Sequence, residues 1–187
     1  MMRYMMAALM GLMLLSGAAT AQAQAAAQAA PDPIAVEQLR HAIGTWEVET
    51  DFIDTDGKIL GSAKGTYVFK WVLPDRIVSG TSTIPAWRQT SAILFFVRPK
   101  TSEVEMASVG SDGVLWQMIG PDSSETRTTP NVAMDDGSTM MLRFTRHSVT
   151  PDSFGSTMEM SVDGGESWHI ANQQRFVRKK EEGAAEK

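Results

Sequence analysis

From Trp46 onward apolar and polar residues alternate with a period of two. Trp46, Val48, Thr50 and Phe52 fall on one side, Glu47, Glu49 and Asp51 on the other, the mark of a half-buried strand. A short helical pattern precedes it: Asp32 suits a cap, Pro33 the first helical position, and Ile34, Leu39 and Ala42 an apolar stripe that Gly44 ends. Runs rich in β-branched and aromatic residues recur at 66–72, 76–83, 92–98, 103–109, 114–119, 139–146, 154–161 and 168–178, with a weaker one at 125–129. Turn chemistry separates them, at Asp54–Gly57, Pro74-Asp75, Pro99–Ser102, Gly110–Gly113, Val149–Asp152 and Asp163–Gly165. Links this short pair neighbouring strands antiparallel. About ten such strands without intervening helices predict an all-β fold, an antiparallel meander closing into a barrel, which removes exposed edges where a sandwich keeps them. Residues 93–97 are apolar without alternation, which predicts a strand covered on both faces, with the first helix as the cover. The polar stretch 120–138 reads as a lid or rim loop.

The amino end changes the picture of where the protein works. Arg3, the apolar run Met5–Leu15 and the small residues ending at Ala21 and Ala23 have the form of a secretory signal peptide over residues 1–23, with cleavage after either alanine. The apolar run is too short to span a bilayer as a helix. An exported protein is expected, periplasmic or extracellular, with no membrane anchor after cleavage. Residues 24–33 read as a flexible linker, 34–178 as the barrel domain, and 179–187 as a disordered charged tail.

Charge and composition then narrow the chemistry. Without residues 1–23 the chain carries 16 basic and 22 acidic side chains, a modest polyanion unsuited to nucleic acid, which demands clustered Lys and Arg. The absence of cysteine excludes disulfides, thiolate zinc sites and a cysteine nucleophile. His41, His147 and His169 have no metal-binding spacing. No Gly-x-Ser-x-Gly, Ser-x-x-Lys or Walker-type loop occurs. Glu47 and Glu49 share a strand face opposite Trp46 and Val48, so a solvated exterior explains them better than a glycosidase pair. No metal or cofactor is implied.

Two segments carry more than pattern. Gly44-Thr45-Trp46, opening the first strand straight after a helix, resembles the start of lipocalin-like, or calycin, barrels. That resemblance implies that Gly44 and Trp46 close one barrel end, with an arginine of the last strand, Arg175 or Arg178, over the tryptophan. The second segment comprises Val149-Thr150-Pro151-Asp152-Ser153-Phe154, then Ser161-Val162-Asp163-Gly164-Gly165-Glu166-Ser167-Trp168, then Arg175-Phe176-Val177-Arg178. With the Gly-x-Trp it is similar to the secreted bacterial family known as domain of unknown function 1579, over residues 38–178. The resemblance implies a calycin-like barrel in an exported protein and no catalytic residue. Ser161-x-Asp163-x-Gly165-x-x-Trp168 also fits the Asp-box hairpin of sialidase propellers, but one copy does not make a propeller; a side-chain-braced turn suffices.

What remains is apolar and aromatic. A barrel of eight to ten strands holds either a side-chain core or one small ligand, and the sequence leaves both open. In the ligand reading, Tyr67, Trp71, Trp87 and Trp116 form the wall, and Arg127 and His147 supply polar contacts near an open end. The main expectation is a non-enzymatic exported barrel that binds a small apolar or amphipathic molecule. The alternatives are an envelope interaction module with a solid barrel, and an enzyme acting on a small substrate at the barrel mouth. Nothing in the sequence sets the oligomeric state.

Overall fold

The computed structural model describes residues 33–134 and 136–180. The expected signal peptide lies outside these residues, as do most of the linker and most of the tail. Helix α1 (Pro33–Ala42) is followed by eleven strands: β1 (Gly44–Ile53), β2 (Ile59–Leu73), β3 (Ile77–Ile84), β4 (Gln89–Arg98), β5 (Glu103–Gly110), β6 (Leu115–Pro121), β7 (Thr126–Thr128), β8 (Val132–Ala133), β9 (Thr139–Thr150), β10 (Ser153–Ser161) and β11 (His169–Arg178). All described pairings are antiparallel. β1 pairs with both β2 and β11, and β10 pairs with both β11 and β9, so the ring closes. Ten strands make the barrel. The two-residue β8 pairs only with β9, beside the ring.

The expected strands are present, several of them longer. β2 starts at Ile59 rather than 66, because Gly61, Ala63 and Gly65 continue the pairing with β1 although they carry little hydrophobic signal. Gly65 is needed there: a Cβ would stand 2.7 Å from the Thr83 carbonyl oxygen. The weak run near 125–129 is β7, a full member of the ring, so the stretch 120–138 is only partly loop.

The helix sits across one end of the barrel. Ala35 and Leu39 join Val97, Val104, Trp46, Phe154 and Phe176 in one buried cluster. It does not cover the outside of β4, where Leu94 remains 37% exposed. The uniform apolar run of that strand therefore places Ile93, Phe95 and Val97 inside and leaves Leu94 at the surface, which corrects the expectation of two covered faces. Arg40 binds Asp75 of the β2–β3 turn at 2.8 and 2.9 Å, and His41 Nε2 lies 2.6 Å from the Thr150 carbonyl oxygen between β9 and β10.

The helix C-terminus leaves carbonyls without intrahelical partners, and the barrel supplies donors for them. Trp46 Nε1 donates to the Ala42 carbonyl at 2.8 Å. Arg178 Nη1 and Nη2 donate to the carbonyls of Ile43 and His41 at 2.6 and 3.0 Å, while its guanidinium lies 4.2 Å from the centroid of the fully buried Trp46 ring. Gly44, with φ of +124°, leaves the room: a Cβ there would stand 2.7 Å from Arg178 Nη1. Of the two candidate arginines, Arg178 is the one over the tryptophan. Arg175 pairs with Glu49 on the outside at 2.9 Å.

At the other end, the β10–β11 hairpin is braced by side chains. Asp163 Oδ1 accepts from the Ser167 N–H at 2.9 Å and from the Ser161 hydroxyl at 2.7 Å, and Ser161 Oγ accepts from the Gly165 N–H at 2.8 Å. Trp168 Nε1 donates to the Gly165 carbonyl at 3.0 Å, and Arg143 lies 4.2 Å over the Trp168 ring. These hydrogen bonds, Ser167 first, hold the Asp163 carboxyl well below the usual carboxylate range.

Truncation at the barrel end tests the role of the first tryptophan. Trp46→Ala is expected to lower unfolding stability by about 3–5 kcal/mol, read as a lower urea midpoint at unchanged slope; a loss under ~1 kcal/mol would show that Arg178 and the helix hold without it.

Candidate functional site

Because alternate residues of every strand face inward, the barrel interior is read off by parity. Phe69 of β2, Ile93 and Phe95 of β4, Phe144 of β9, Phe154 of β10 and Phe176 of β11 form the apolar wall of an interior cavity of about 190 Å³. Leu39 and Ala42 of the helix close it at one end, and Ser82, Ser91 and Ser108 line it farther from the helix. Phe154 and Phe176 stack with centroids 4.1 Å apart and planes 11° from parallel.

Polar groups enter this wall in two ways. One set is mutually satisfied: Gln174 Nε2 donates to Thr50 Oγ1 at 3.0 Å and to the Tyr67 hydroxyl at 3.3 Å, and its Oε1 accepts from Ser156 at 3.2 Å. The other set surrounds Arg127. This side chain is 5% exposed, and its Nη2 donates to Gln38 Oε1 at 2.8 Å; Gln38 Nε2 in turn donates to the Ser124 carbonyl at 3.1 Å. Arg127 Nε is buried without a hydrogen-bond partner. Burial pushes the guanidinium down to about 10, with Glu125 opposing the fall and Arg146 adding to it, so it remains charged at neutral pH.

Next to it, Arg146 forms a two-point pair with Glu125 at 2.7 and 2.8 Å. Gln38, Glu125 and Arg146 line the cavity and also a shallow outer depression beside the helix, shared with Ile34, His41 and Val149. These three polar side chains stand between interior and solvent. The tautomer of His41 follows from its partners. The Thr150 carbonyl only accepts, so Nε2 carries the proton, and Nδ1 accepts from Arg146 Nη1 at 3.1 Å. Burial holds the His41 pKa below its ordinary value, and the charges of Arg146 and Arg178 act in the same direction against Glu125 and the Thr150 hydrogen bond.

Of the six residues expected to form the site, Tyr67 and Arg127 line the cavity. Trp71 is half-buried and packs against the core cluster instead. Trp116 is half-buried opposite the cavity-lining Ser108 but is not part of the wall. Trp87 lies in a single 3-10 turn (Pro85–Trp87), 46% exposed, its ring tilted 57° against Phe52 with centroids 4.2 Å apart. His147 is on the outside, over Gly155, with Nδ1 3.2 Å from Ser148 Oγ and Nε2 3.3 Å from Thr157 Oγ1. It faces away from the interior that Arg127 enters, so the two do not share a mouth. Both belong to strand segments nearer the helix-capped end, which corrects the expected open-end placement.

The residues that sequence reasoning missed are Gln38, Arg146 and the five cavity phenylalanines. Strict parity within β4, β10 and β11 marks Phe95, Phe154 and Phe176 as inward. Nothing local marks Gln38, whose partner is 89 positions away. Glu105 is buried too, but on the outer face of β5, where Arg98 Nε lies 2.5 Å away and Gln117 donates to it.

No family model matches the chain, and no curated protein matches it. Among solved structures it is similar to Rv2717c from M. tuberculosis, with a TM-score of 0.56 at 12% identity over 80% of this chain and 99% of that one. It also aligns with the S-type phycobiliprotein lyase CPES from Guillardia theta, with a TM-score of 0.47 at 11% identity over 78% of this chain and 92% of that one. The fold is that of a calycin-like barrel.

The neutral His41 gives stability a pH dependence. Its folded pKa lies below the unfolded value of about 6.5, so on acidification the unfolded chain takes up the proton first, and stability falls with falling pH. Urea midpoints measured at about pH 7.5 and 5.5, a range in which carboxylates stay ionised in both states, are expected to drop for the wild type and to drop less for His41→Asn.

Proposed function

We propose that this protein is an exported, non-enzymatic barrel that binds one small, mostly apolar molecule in its interior. The observation that carries the reading is the cavity of about 190 Å³, walled by phenylalanines and crossed by few polar groups, which is how small-molecule sites are built. An engineered apolar cavity of roughly 150 Å³ takes benzene, so the space suits a molecule of about one ring. The arginine and glutamine at the helix side orient the occupant, and the satisfied Gln174 cluster keeps the opposite wall rigid. Export rests on the signal-peptide form of residues 1–23. Kinship with the secreted family of domain of unknown function 1579 rests on the Gly44-x-Trp46 opening and the segments ending in Trp168 and Arg178. Trp71, Trp87, Trp116 and His147 are outside the proposed contact set, for the placements given above.

Native mass spectrometry of freshly purified protein, followed by thermal shift against short fatty acids and single-ring aromatic compounds, tests the reading. Binding of at least one small compound is expected. Ser108→Phe, which places a ring in the cavity, is expected to weaken that binding by at least about tenfold through overlap with the ligand. Full retention of affinity in Ser108→Phe would put the ligand elsewhere.

A further inference from the structure

The interior holds a positive charge without a direct ion pair: the Glu125 carboxylate acts on Arg127 through space only and is itself bound by Arg146. Of the nine described arginines, 40, 98, 143, 146, 175 and 178 have an acidic partner within 4 Å, and Arg76, Arg88 and Arg127 do not. Of these three, Arg127 is the one most deeply buried. Its hydrogen bond to Gln38 is to a neutral amide, and its Nε has no partner. A buried cation without a direct counter-ion is destabilising, and an unpaired buried donor adds to it. Within the protein the guanidinium satisfies one neutral acceptor, Gln38 Oε1, which by itself does not require a full charge.

We propose that the cavity takes a small organic carboxylate, one ring or a short chain, with its negative charge against the Arg127 guanidinium and its apolar part among Phe95, Phe144 and Phe154. This specificity presupposes the interior site argued above. The carboxylate supplies a direct counter-charge at the guanidinium, and charge-assisted hydrogen bonds are about twice as strong as neutral ones. The size of the cavity sets the rest. A space of about 190 Å³ admits a ring and a small head group, and the apolar wall leaves a bare inorganic anion unsolvated on most sides. The Gln38 amide spans Arg127 and the Ser124 carbonyl at the boundary with the outer depression.

The test is calorimetric titration of the purified protein with benzoate, with benzyl alcohol as its neutral counterpart, and with inorganic phosphate. Benzoate is expected to bind at least about tenfold more tightly than benzyl alcohol, the effect of one hydrogen bond to a charged group, and phosphate not detectably. Arg127→Met is expected to bring the ratio of the two organic affinities to about one. If that variant does not fold, the wild type still decides: in an arginine-Nε ¹H–¹⁵N spectrum, benzoate must shift the Arg127 signal and benzyl alcohol must shift it less. Equal or tighter binding of benzyl alcohol would overturn the charge specificity and leave the interior site standing. Binding of neither organic compound would overturn the interior site itself. Phosphate binding as tightly as benzoate, or a benzoate preference undiminished in a folded Arg127→Met, would place the anion contact outside the aromatic cavity.

Discussion

The barrel depends on how helix α1 ends. Three consecutive carbonyls at the C-terminus of α1, those of His41, Ala42 and Ile43, accept from Trp46 and Arg178, side chains on the first and last strands. These strands pair directly, with Trp46 opposite Arg178. A single hydrogen-bonded unit therefore caps the helix, closes the ring between its two ends in sequence, and places a cation at the negative end of the helix dipole. The tryptophan contributes buried area and a donor at once, which no aliphatic residue can do.

From that anchor the rest of the interior is positioned. The helix axis is held at its C-terminal end by Trp46 and Arg178 and farther out by Arg40 against Asp75, so Gln38 and Leu39 point inward over the cavity. His41, one turn end away, joins the helix to β9 and β10 through Thr150 and Arg146. Arg146 is thus shared between the cap and the boundary of the cavity, where it neutralises Glu125. The cation–π contact of Arg178 and the pairing of Arg146 leave Arg127 as a buried cation without a direct ion pair, held by Gln38.

How far this was legible in the sequence follows from the range of each signal. Period-two alternation is local, so the strands, their antiparallel order and the all-β class could be read directly. The closing tryptophan came with a three-residue signature. The aromatic wall did not follow from residue type. Trp87 is in a 3-10 turn and lies tilted against Phe52, apart from the cavity lining, whereas phenylalanines at inward parity make the cavity wall. His147 follows Arg146 by one residue, and one residue is enough to turn a side chain from the inner to the outer face. Gln38 was invisible because a polar residue on a helix reads as solvated until the facing strand is known.

The two polar groups of residues inside the barrel differ in kind. Gln174, Thr50, Tyr67 and Ser156 complete one another's hydrogen bonds, and a satisfied buried network specifies packing and nothing more. Arg127 and Gln38 form an open chain that starts at a backbone carbonyl and ends in an unpaired N–H. A fold stabilised only by its own contacts gains nothing from such an end, because a hydrophobic side chain would remove both the buried charge and the unmet donor. The cost becomes intelligible when the last partner of the Arg127 guanidinium is a molecule the protein does not itself contain, and the placement of that residue, opposite Phe144 and bonded to Gln38 of the helix, sets which end of the molecule would carry the charge.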